Sequence, residues 1–325
     1  MKRFFSIFLI FGMLFNLCGC KKTMTERHFF AMDTMMSLNL DTSNGGVFEL
    51  CEAEVERLES LFSTTVETSD IARLNRGELT SFSADTLDIL KKGLAVSKET
   101  DQAFCMSLYP ASRLWDFGGK PRVPSKAELE AVRPMIDDTS LMLVDHSFYL
   151  PKDAGLDLGG IAKGYAADSL AVILEEQGVE HYFLSLGGNV QVKGGNLNGE
   201  PWRIGIADPM GGEPVGIVPI TDGAVVTSGG YERNFVHKGK TYHHILDRAT
   251  LSPAESGLIS ATAITADGTT ADALSTAFFV MGEEKALRYC ADHMGVDCVL
   301  ITEDHRVVTS DGIQFSLENK NYTYS

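Results

Sequence analysis

Positive charge, paired cysteines and long apolar runs are all scarce in this sequence. Its 28 lysine and arginine residues face 44 aspartate and glutamate residues, a formal net charge of −16 that argues against non-specific nucleic-acid binding. None of the six cysteines forms a C-x-x-C pair, so a zinc site has no support. An anionic ligand of so acidic a chain needs a local source of positive charge: a metal ion, a lysine or a helix N-terminus.

The one long apolar run lies at the N-terminus. Two basic residues precede the apolar segment 4–17, which is too short to span a bilayer comfortably and is typical of a signal peptide. The segment ends in Leu-Cys-Gly-Cys, which resembles a bacterial lipobox with Cys20 as the acylated residue; an ordinary signal peptide ending in cysteine is the alternative. We therefore predict a signal peptide over residues 1–19, a tether over 20–30, and a protein anchored by lipid outside the cytoplasm, on the periplasmic side of the inner membrane.

The rest of the chain, residues 31–325, is long enough for one large domain or two subdomains. We expect buried free thiols at its cysteines, which are Cys51, Cys105, Cys290 and Cys298. Outside the cytoplasm, a disulfide between Cys290 and Cys298 is the alternative.

Periodicity and turn residues predict a chain of separate helices and consecutive strands. The predicted helices are 47–62, 85–99, 159–177, 270–281 and 283–294. The predicted strands are 32–40, 182–186, 202–207 and 215–220, with hairpins over 140–150 and 296–309. This order favours an α+β class, with mixed or antiparallel sheets and packed helices, over a doubly wound parallel sheet.

Glycines open the helix predicted over residues 159–177. They leave backbone N–H groups bare at a helix N-terminus, which is a site for phosphate, and Lys163 adds a full positive charge. The chain has neither a Walker loop nor a G-x-G-x-x-G fingerprint. The alternative interpretation is a helix of small residues packed tightly on a sheet.

Two further segments carry candidate catalytic groups. Asp272 and Thr276 are spaced i, i+4 on a predicted helix, so their oxygens share a face and could form part of a magnesium site. A purely structural pair is the alternative. His244, three residues before Asp247, could be a general base with an orienting partner, although adjacent histidines such as His243 and His244 can also be structural.

Taken together, these segments resemble the ApbE-like family of FAD:protein FMN transferases. The resemblance extends from Met32 to about Thr309. The matching stretches, in the family's order, are 157–168, 186–189, 226–229, 244–247 and 272–276.

The resemblance implies a set of ligands and contact residues. Magnesium would be held by the backbone carbonyl of Gly160 and the side chains of Asp272 and Thr276, and would bridge the FAD pyrophosphate. FAD would be contacted by Met32, Ala103, Phe104, Cys105, Asp157, Lys163 and Leu246. His244 would be the base, oriented by Asp247 or a neighbour.

The resemblance also implies a reaction. A Thr or Ser hydroxyl of an acceptor flavoprotein, such as a subunit of a membrane redox complex, would attack the FMN phosphorus of FAD. AMP would leave, and FMN would be attached through a phosphodiester. Two alternatives stay open: an FAD pyrophosphatase that uses water, and a flavin-binding lipoprotein without catalysis.

Three positions depart from the family's usual pattern. Asp33 stands where glycine is usual, Cys105 where aspartate is usual, and Thr65 where tyrosine is frequent. A missing aromatic ring at Thr65 would loosen one wall of the flavin pocket. Water could then compete with the acceptor hydroxyl.

Overall fold

The computed structural model describes residues 23–78, 81–144 and 147–325. The helices of six or more residues in these ranges are α1 (Gly45–Phe62), α2 (Asp70–Asn75), α3 (Ala84–Glu99), α4 (Tyr109–Trp115), α5 (Lys126–Val132), α6 (Ala162–Glu176) and α7 (Gly268–Asp292). Single 3-10 turns lie at Met106–Leu108, Arg133–Met135 and Asp138–Ser140.

The strands form one large sheet and several small ones. Up to residue 206 they are β1 (Thr25–Ala31), β2 (Thr34–Leu40), β3 (Met142–Val144), β4 (Ser147–Tyr149), β5 (Tyr182–Leu186), β6 (Asn189–Lys193) and β7 (Trp202–Ile206). Those that follow are β8 (Gly216–Ile220), β9 (Gly223–Gly229), β10 (Asn234–His237), β11 (Lys240–His243), β12 (Leu246–Asp247), β13 (Ser252–Pro253), β14 (Leu258–Thr265), β15 (Asp297–Thr302), β16 (Arg306–Thr309), β17 (Ser316–Leu317) and β18 (Thr323–Tyr324).

The large sheet has nine strands in the described part of the chain. Their order is β1-β2-β5-β6-β9-β14-β15-β16-β18, and every neighbouring pair is antiparallel except β16 and β18. A second sheet has the order β17-β8-β7, while β3-β4, β10-β11 and β12-β13 are separate pairs. The sheets are therefore antiparallel almost throughout, as an α+β protein requires.

The large sheet is the middle of three layers. Leu38, Leu184, Ala263 and Leu300 point from it into a core shared with the long helices. Alternate residues of the same sheet point to the opposite face, where they pack on β7 and β8 in a second core. Layers on both faces explain why the central strands β14 and β15 are buried almost throughout.

Local capping explains where the helices begin. The side chain of Asn44 accepts a hydrogen bond from Gly46 N at the start of α1, and Ser83 accepts one from Thr86 N at the start of α3. Helix α6 has no such cap, since Ile161 precedes it and makes no side-chain hydrogen bond to it. Ala162 N donates to the Leu158 carbonyl, whereas Gly164 N takes a partner from a distant part of the chain.

Most of the predicted elements are confirmed, with two corrections of bounds. Helix α6 begins at Ala162 rather than 159, because the preceding glycines form a turn. The tether predicted over residues 20–30 is wrong from Thr25 onward, where β1 begins. The side chains of β1 alternate between half-buried and exposed, and the strand pairs with β2 along its whole length. The break predicted at Gly282 is confirmed, because φ of 78° and ψ of 177° interrupt α7 there.

The cysteine prediction is also confirmed. Cys51, Cys105, Cys290 and Cys298 are free and buried. Cys20 and the predicted signal peptide lie outside the described residues. Among the residues that are described, no helix combines the length and apolar character needed to cross a membrane.

Candidate active site

Helices α6 and α7 touch through their backbones near their N-termini. A Cβ atom on Gly164 would lie only 2.1 Å from the carbonyl oxygen of Gly268. Any larger residue at position 164 would push the helices apart, so glycine is needed here for close approach. We call the contact between these two helix starts the α6–α7 junction.

Each helix of the junction is capped by a carboxylate from the other. On α7, Asp272 Oδ2 accepts a hydrogen bond from Gly164 N at 2.9 Å. On α6, Asp168 accepts hydrogen bonds from Gly268 N at 2.7 Å and Thr269 N at 2.9 Å. Negative charge is favourable at a helix N-terminus, so this exchange holds the two helices in one relative position.

The hydrogen bond to Asp272 also frees a carbonyl group. In a regular helix the Gly164 N–H would donate to the Gly160 carbonyl, but here it donates to Asp272. Within the described ranges, no backbone N–H donates to Gly160. Gly160 also lies beside Thr276, whose Oγ1 would be 3.2 Å from a Cβ atom on Gly160.

The junction thus contains three kinds of oxygen that can act as metal ligands. They are the Gly160 carbonyl, the Asp272 carboxylate and the Thr276 hydroxyl, and Asp272 is only 3% exposed. Magnesium prefers hard oxygen ligands of this kind and shares them with substrate phosphates. The residues present therefore fit the ion that the sequence resemblance implies.

One lysine lies between Gly160 and Gly164 in the sequence. Lys163, in the first turn of α6, is half-buried, and its charge acts on both Glu232 and His244. Loss of water around Glu232 raises its pKa; Lys163 opposes that rise and Asp272 adds to it. Sequence analysis missed Glu232 and Arg233, although two adjacent charged residues directly after the Thr-Ser-Gly-Gly-Tyr segment were a usable signal.

His244 follows β11 and faces the backbone of Arg233. Its Nδ1 atom lies 3.3 Å from the Arg233 carbonyl oxygen, which also accepts the His244 backbone N–H at 3.1 Å. A carbonyl can only accept, so Nδ1 carries the hydrogen and Nε2 has a free lone pair. Burial lowers the pKa of His244 to about 4, with the charges of Arg233 and Lys163 contributing, which keeps the ring neutral at physiological pH.

The orienting group of His244 is thus the Arg233 carbonyl. The carboxylate of Asp247 instead accepts a hydrogen bond from Ala249 N at 2.8 Å, within a turn that closes β12 and β13. His243 points the other way: its Nε2 lies 3.1 Å from the Ala254 carbonyl oxygen, and its ring packs edge-on against Phe279.

The segments expected to contact FAD lie around the junction. Phe104 is 3% exposed, and its ring would be 3.3 Å from a Cβ atom on Gly160. Asp157 accepts a hydrogen bond from Gly159 N at 2.9 Å, while burial raises its pKa. Its backbone N–H donates to the Met106 carbonyl, which ties the segments around residues 104 and 157 together.

The remaining predicted contact residues have different surroundings. Leu246 is buried in the same apolar cluster as Cys105, and Met32 packs on the edge of the main core. Ala103 lines an open cavity of about 480 Å³ that also reaches Asp247 and Val280, one helical turn beyond Thr276. This volume lies in the range of small-molecule sites.

The structure also shows how the unusual residues are accommodated. Asp33 lies in the tight turn between β1 and β2 with φ of 59°, a conformation in which glycine is the easiest residue. The Cys105 thiol lies 3.4 Å from a carboxylate oxygen of Asp138, and burial raises its pKa. Thr65 is exposed in the loop after α1.

Known proteins are similar to this chain in sequence and fold. The chain matches the model of the ApbE family over residues 32–300. It is 31% identical to the FAD:protein FMN transferase of Vibrio cholerae over 90% of this chain and 92% of that protein. It is 32% identical to the enzyme of that name from Escherichia coli, over 73% of this chain and 72% of that protein.

Solved structures agree with the sequence comparison. The ApbE protein of Thermotoga maritima superposes with a TM-score of 0.84 and 33% identity, over 89% of this chain and 97% of that one. The flavin transferase ApbE of Vibrio cholerae gives a TM-score of 0.77 and 27% identity, over 92% of this chain and 99% of that one. The α+β class is thereby confirmed, and the chain belongs to the ApbE family.

Proposed function

We propose that this protein is a magnesium-dependent FAD:protein FMN transferase. It transfers FMN from FAD to a Thr or Ser hydroxyl of an acceptor flavoprotein and releases AMP. The observation that carries the proposal is the α6–α7 junction, where Asp272 caps α6 and leaves the Gly160 carbonyl without its usual donor beside Thr276. Lys163 directly precedes Gly164 in the first turn of α6, and its charge reaches His244. The relatives from Vibrio cholerae and Escherichia coli are named FAD:protein FMN transferases, which supports the transfer of FMN.

The chain's own groups divide the work of binding the pyrophosphate. Gly160, Asp272 and Thr276 would hold magnesium, which neutralises phosphate charge when bound. Lys163 adds positive charge from the first turn of α6. The segments that include Phe104, Asp157 and Leu246 line the space available to the rest of FAD.

His244 is suited to take the proton from the acceptor. Its Nε2 lone pair is free because Nδ1–H points at the Arg233 carbonyl oxygen. As the acceptor hydroxyl oxygen forms its bond to the FMN phosphorus, its proton moves to His244 Nε2. The bond between that phosphorus and the bridging oxygen breaks, and AMP leaves with the bridging oxygen.

A hydrolytic variant of the same chemistry is the second candidate. Thr65, at the position where the family often has tyrosine, is exposed, so a flavin bound beside it would lack an aromatic contact there. Water could then replace the acceptor hydroxyl and give FMN and AMP. A flavin-binding lipoprotein without catalysis would not explain why oxygen ligands, Lys163 and a neutral His244 converge.

Transfer and hydrolysis separate in one experiment. The purified protein is incubated with FAD, Mg²⁺ and a candidate flavoprotein, and flavin fluorescence is read in a denaturing gel. We expect a fluorescent acceptor band, which disappears when the acceptor's Thr or Ser is changed to Ala. AMP release without any labelled acceptor would favour hydrolysis, and FAD binding without AMP release would contradict both activities.

We further propose that Cys20 carries a lipid anchor outside the cytoplasm. Support comes from the short apolar segment 4–17 and the Leu-Cys-Gly-Cys sequence that ends it. Two or more acyl chains anchor a protein stably. Cys20→Ala should release the protein into the soluble extracytoplasmic fraction; continued association with membranes would contradict this proposal.

A further inference from the structure

A chain of hydrogen-bonded hydroxyl groups connects strand β9 to Thr276 of the proposed metal site. Ser275 Oγ donates to the Asp272 carbonyl oxygen at 2.8 Å. Ser228 Oγ, on β9, lies 2.8 Å from Ser275 Oγ and 3.2 Å from Thr276 Oγ1. Ser275 is completely buried, so no water competes for its hydroxyl.

Counting protons gives the chain a direction. A hydroxyl has one hydrogen to donate and two lone pairs that accept. The Ser275 hydrogen is used on the Asp272 carbonyl, so Ser228 must be the donor to Ser275. The Ser228 hydrogen is then used as well, and Thr276 must be the donor to Ser228.

This direction matters for a metal ligand. A hydroxyl binds a cation through an oxygen lone pair, and its hydrogen has to point away from the cation. By accepting the Thr276 hydrogen, Ser228 turns that hydrogen toward β9 and leaves the Thr276 lone pairs for the side where Gly160 lies.

We infer that Ser228 is a positioning residue. By accepting the Thr276 hydrogen, it orients the Thr276 hydroxyl so that an oxygen lone pair faces the metal. The inference rests on the proposed function, since it takes Thr276 to be a magnesium ligand. Ser228 does not touch substrate in this role; it acts through Thr276. Partners that orient a metal ligand typically change metal affinity by about ten-fold or more when they are removed.

The neighbouring residue Thr227 provides a matched control. It precedes Ser228 on β9, so its side chain points to the opposite face of the sheet, where its hydroxyl pairs with Thr262 at 2.8 Å. Thr227→Val removes a hydroxyl of the same strand without touching Ser275 or Thr276.

Metal binding can be measured directly, without catalysis. Mn²⁺ takes oxygen ligands like those of Mg²⁺, and free Mn²⁺ is counted by its electron paramagnetic resonance signal. Titrations of the whole protein with Mn²⁺ in the presence of ADP, a diphosphate without flavin, give the affinity. We expect Ser228→Ala to weaken it by about ten-fold. Thr227→Val should leave it unchanged, and Ser228→Thr, which keeps the hydroxyl, should restore most of it.

A double variant distinguishes positioning from general structural damage. In a Thr276→Val background, Ser228→Ala should have no further effect on Mn²⁺ affinity, because there is no hydroxyl left to orient. An unchanged affinity in Ser228→Ala, or an equal loss in the Thr276→Val background, would overturn the inference. If the wild-type protein binds no Mn²⁺, the metal assignment of the proposed function fails with it. If the wild type binds Mn²⁺ and Ser228→Ala binds equally well, the positioning role alone is wrong.

Discussion

The α6–α7 junction and the hairpin β10–β11 both adjoin residues of the proposed site but are built in different ways. The junction is buried and holds its helices by direct backbone contact at Gly164 and by two carboxylates. The hairpin is a separate two-stranded sheet with exposed side chains such as Val236. His244 directly follows its second strand.

The hairpin is held by aromatic rings rather than by buried polar contacts. Phe235 and Tyr242 stack on each other at 5.5 Å between centroids, and they also meet Trp115 and Phe117. Such contacts are adaptable, whereas the junction allows a single arrangement. The comparison indicates a rigid end, which carries the proposed metal ligands, and a more tolerant end, which carries the proposed base His244.

The largest difference in stability is expected between two glycine substitutions. Gly164→Ala places a methyl group 2.1 Å from a backbone oxygen, so it should destabilise the protein by about 3 kcal/mol or more. Gly239→Ala, in the hairpin turn, places its Cβ within 4 Å of no other atom. Only the strained φ of 79° should lower the free energy of unfolding, by about 1 kcal/mol. Urea unfolding measures both; equal losses would contradict the contrast between the two regions.

The largest effect on activity is expected at Asp272, the proposed metal ligand. Asp272→Asn keeps an oxygen that can accept from Gly164 N but loses the negative charge, so the fold should survive while AMP release falls by roughly 10⁴-fold. Asp272→Ala loses the cap as well and should also lower the free energy of unfolding by about 1 kcal/mol. Wild-type turnover in Asp272→Asn would refute the assignment.

The proposed base His244 should be more replaceable than the proposed metal ligand Asp272. His244→Asn is expected to slow transfer by about 10²–10⁴-fold while FAD binding changes little. His243→Asn is the matched control, because His243 faces Phe279 rather than the site, and it should transfer FMN at nearly the wild-type rate. The opposite ranking, or weaker FAD binding with unchanged turnover at saturation, would make His244 a binding or structural residue.

The smallest expected effect is a displaced pH profile. The pKa of His244 lies at about 4, below its ordinary value of 6.5, so the ring keeps its lone pair as the solution becomes acidic. Transfer should therefore change by no more than about two-fold between pH 7 and pH 5.5, and should decline only as the pH approaches 4. A ten-fold decline by pH 5.5 would show an ordinary histidine instead.

The sequence predicted the parts of this site that depend on nearby residues. The glycines before α6 and the i, i+4 spacing of Asp272 and Thr276 both follow from local periodicity. These predictions are consistent with the positions seen in the structure.

The contacts between distant segments could not be predicted in this way. The hydrogen bond that frees the Gly160 carbonyl joins Gly164 to Asp272, which are 108 residues apart in the sequence. The pairing of Ser228 with Thr276 depends on β9 lying against α7, which no local pattern indicates. The predicted tether failed for a related reason, because β1 is held by pairing with β2 rather than by its own composition.

Release of AMP from FAD by the purified protein, with and without chelator, tests the central claim most directly. If the junction oxygens hold magnesium against the pyrophosphate, excess chelator should reduce AMP release to background, and added Mg²⁺ should restore it. Equal AMP release in excess chelator would contradict the account, because the oxygens of Gly160, Asp272 and Thr276 would then have no metal to hold.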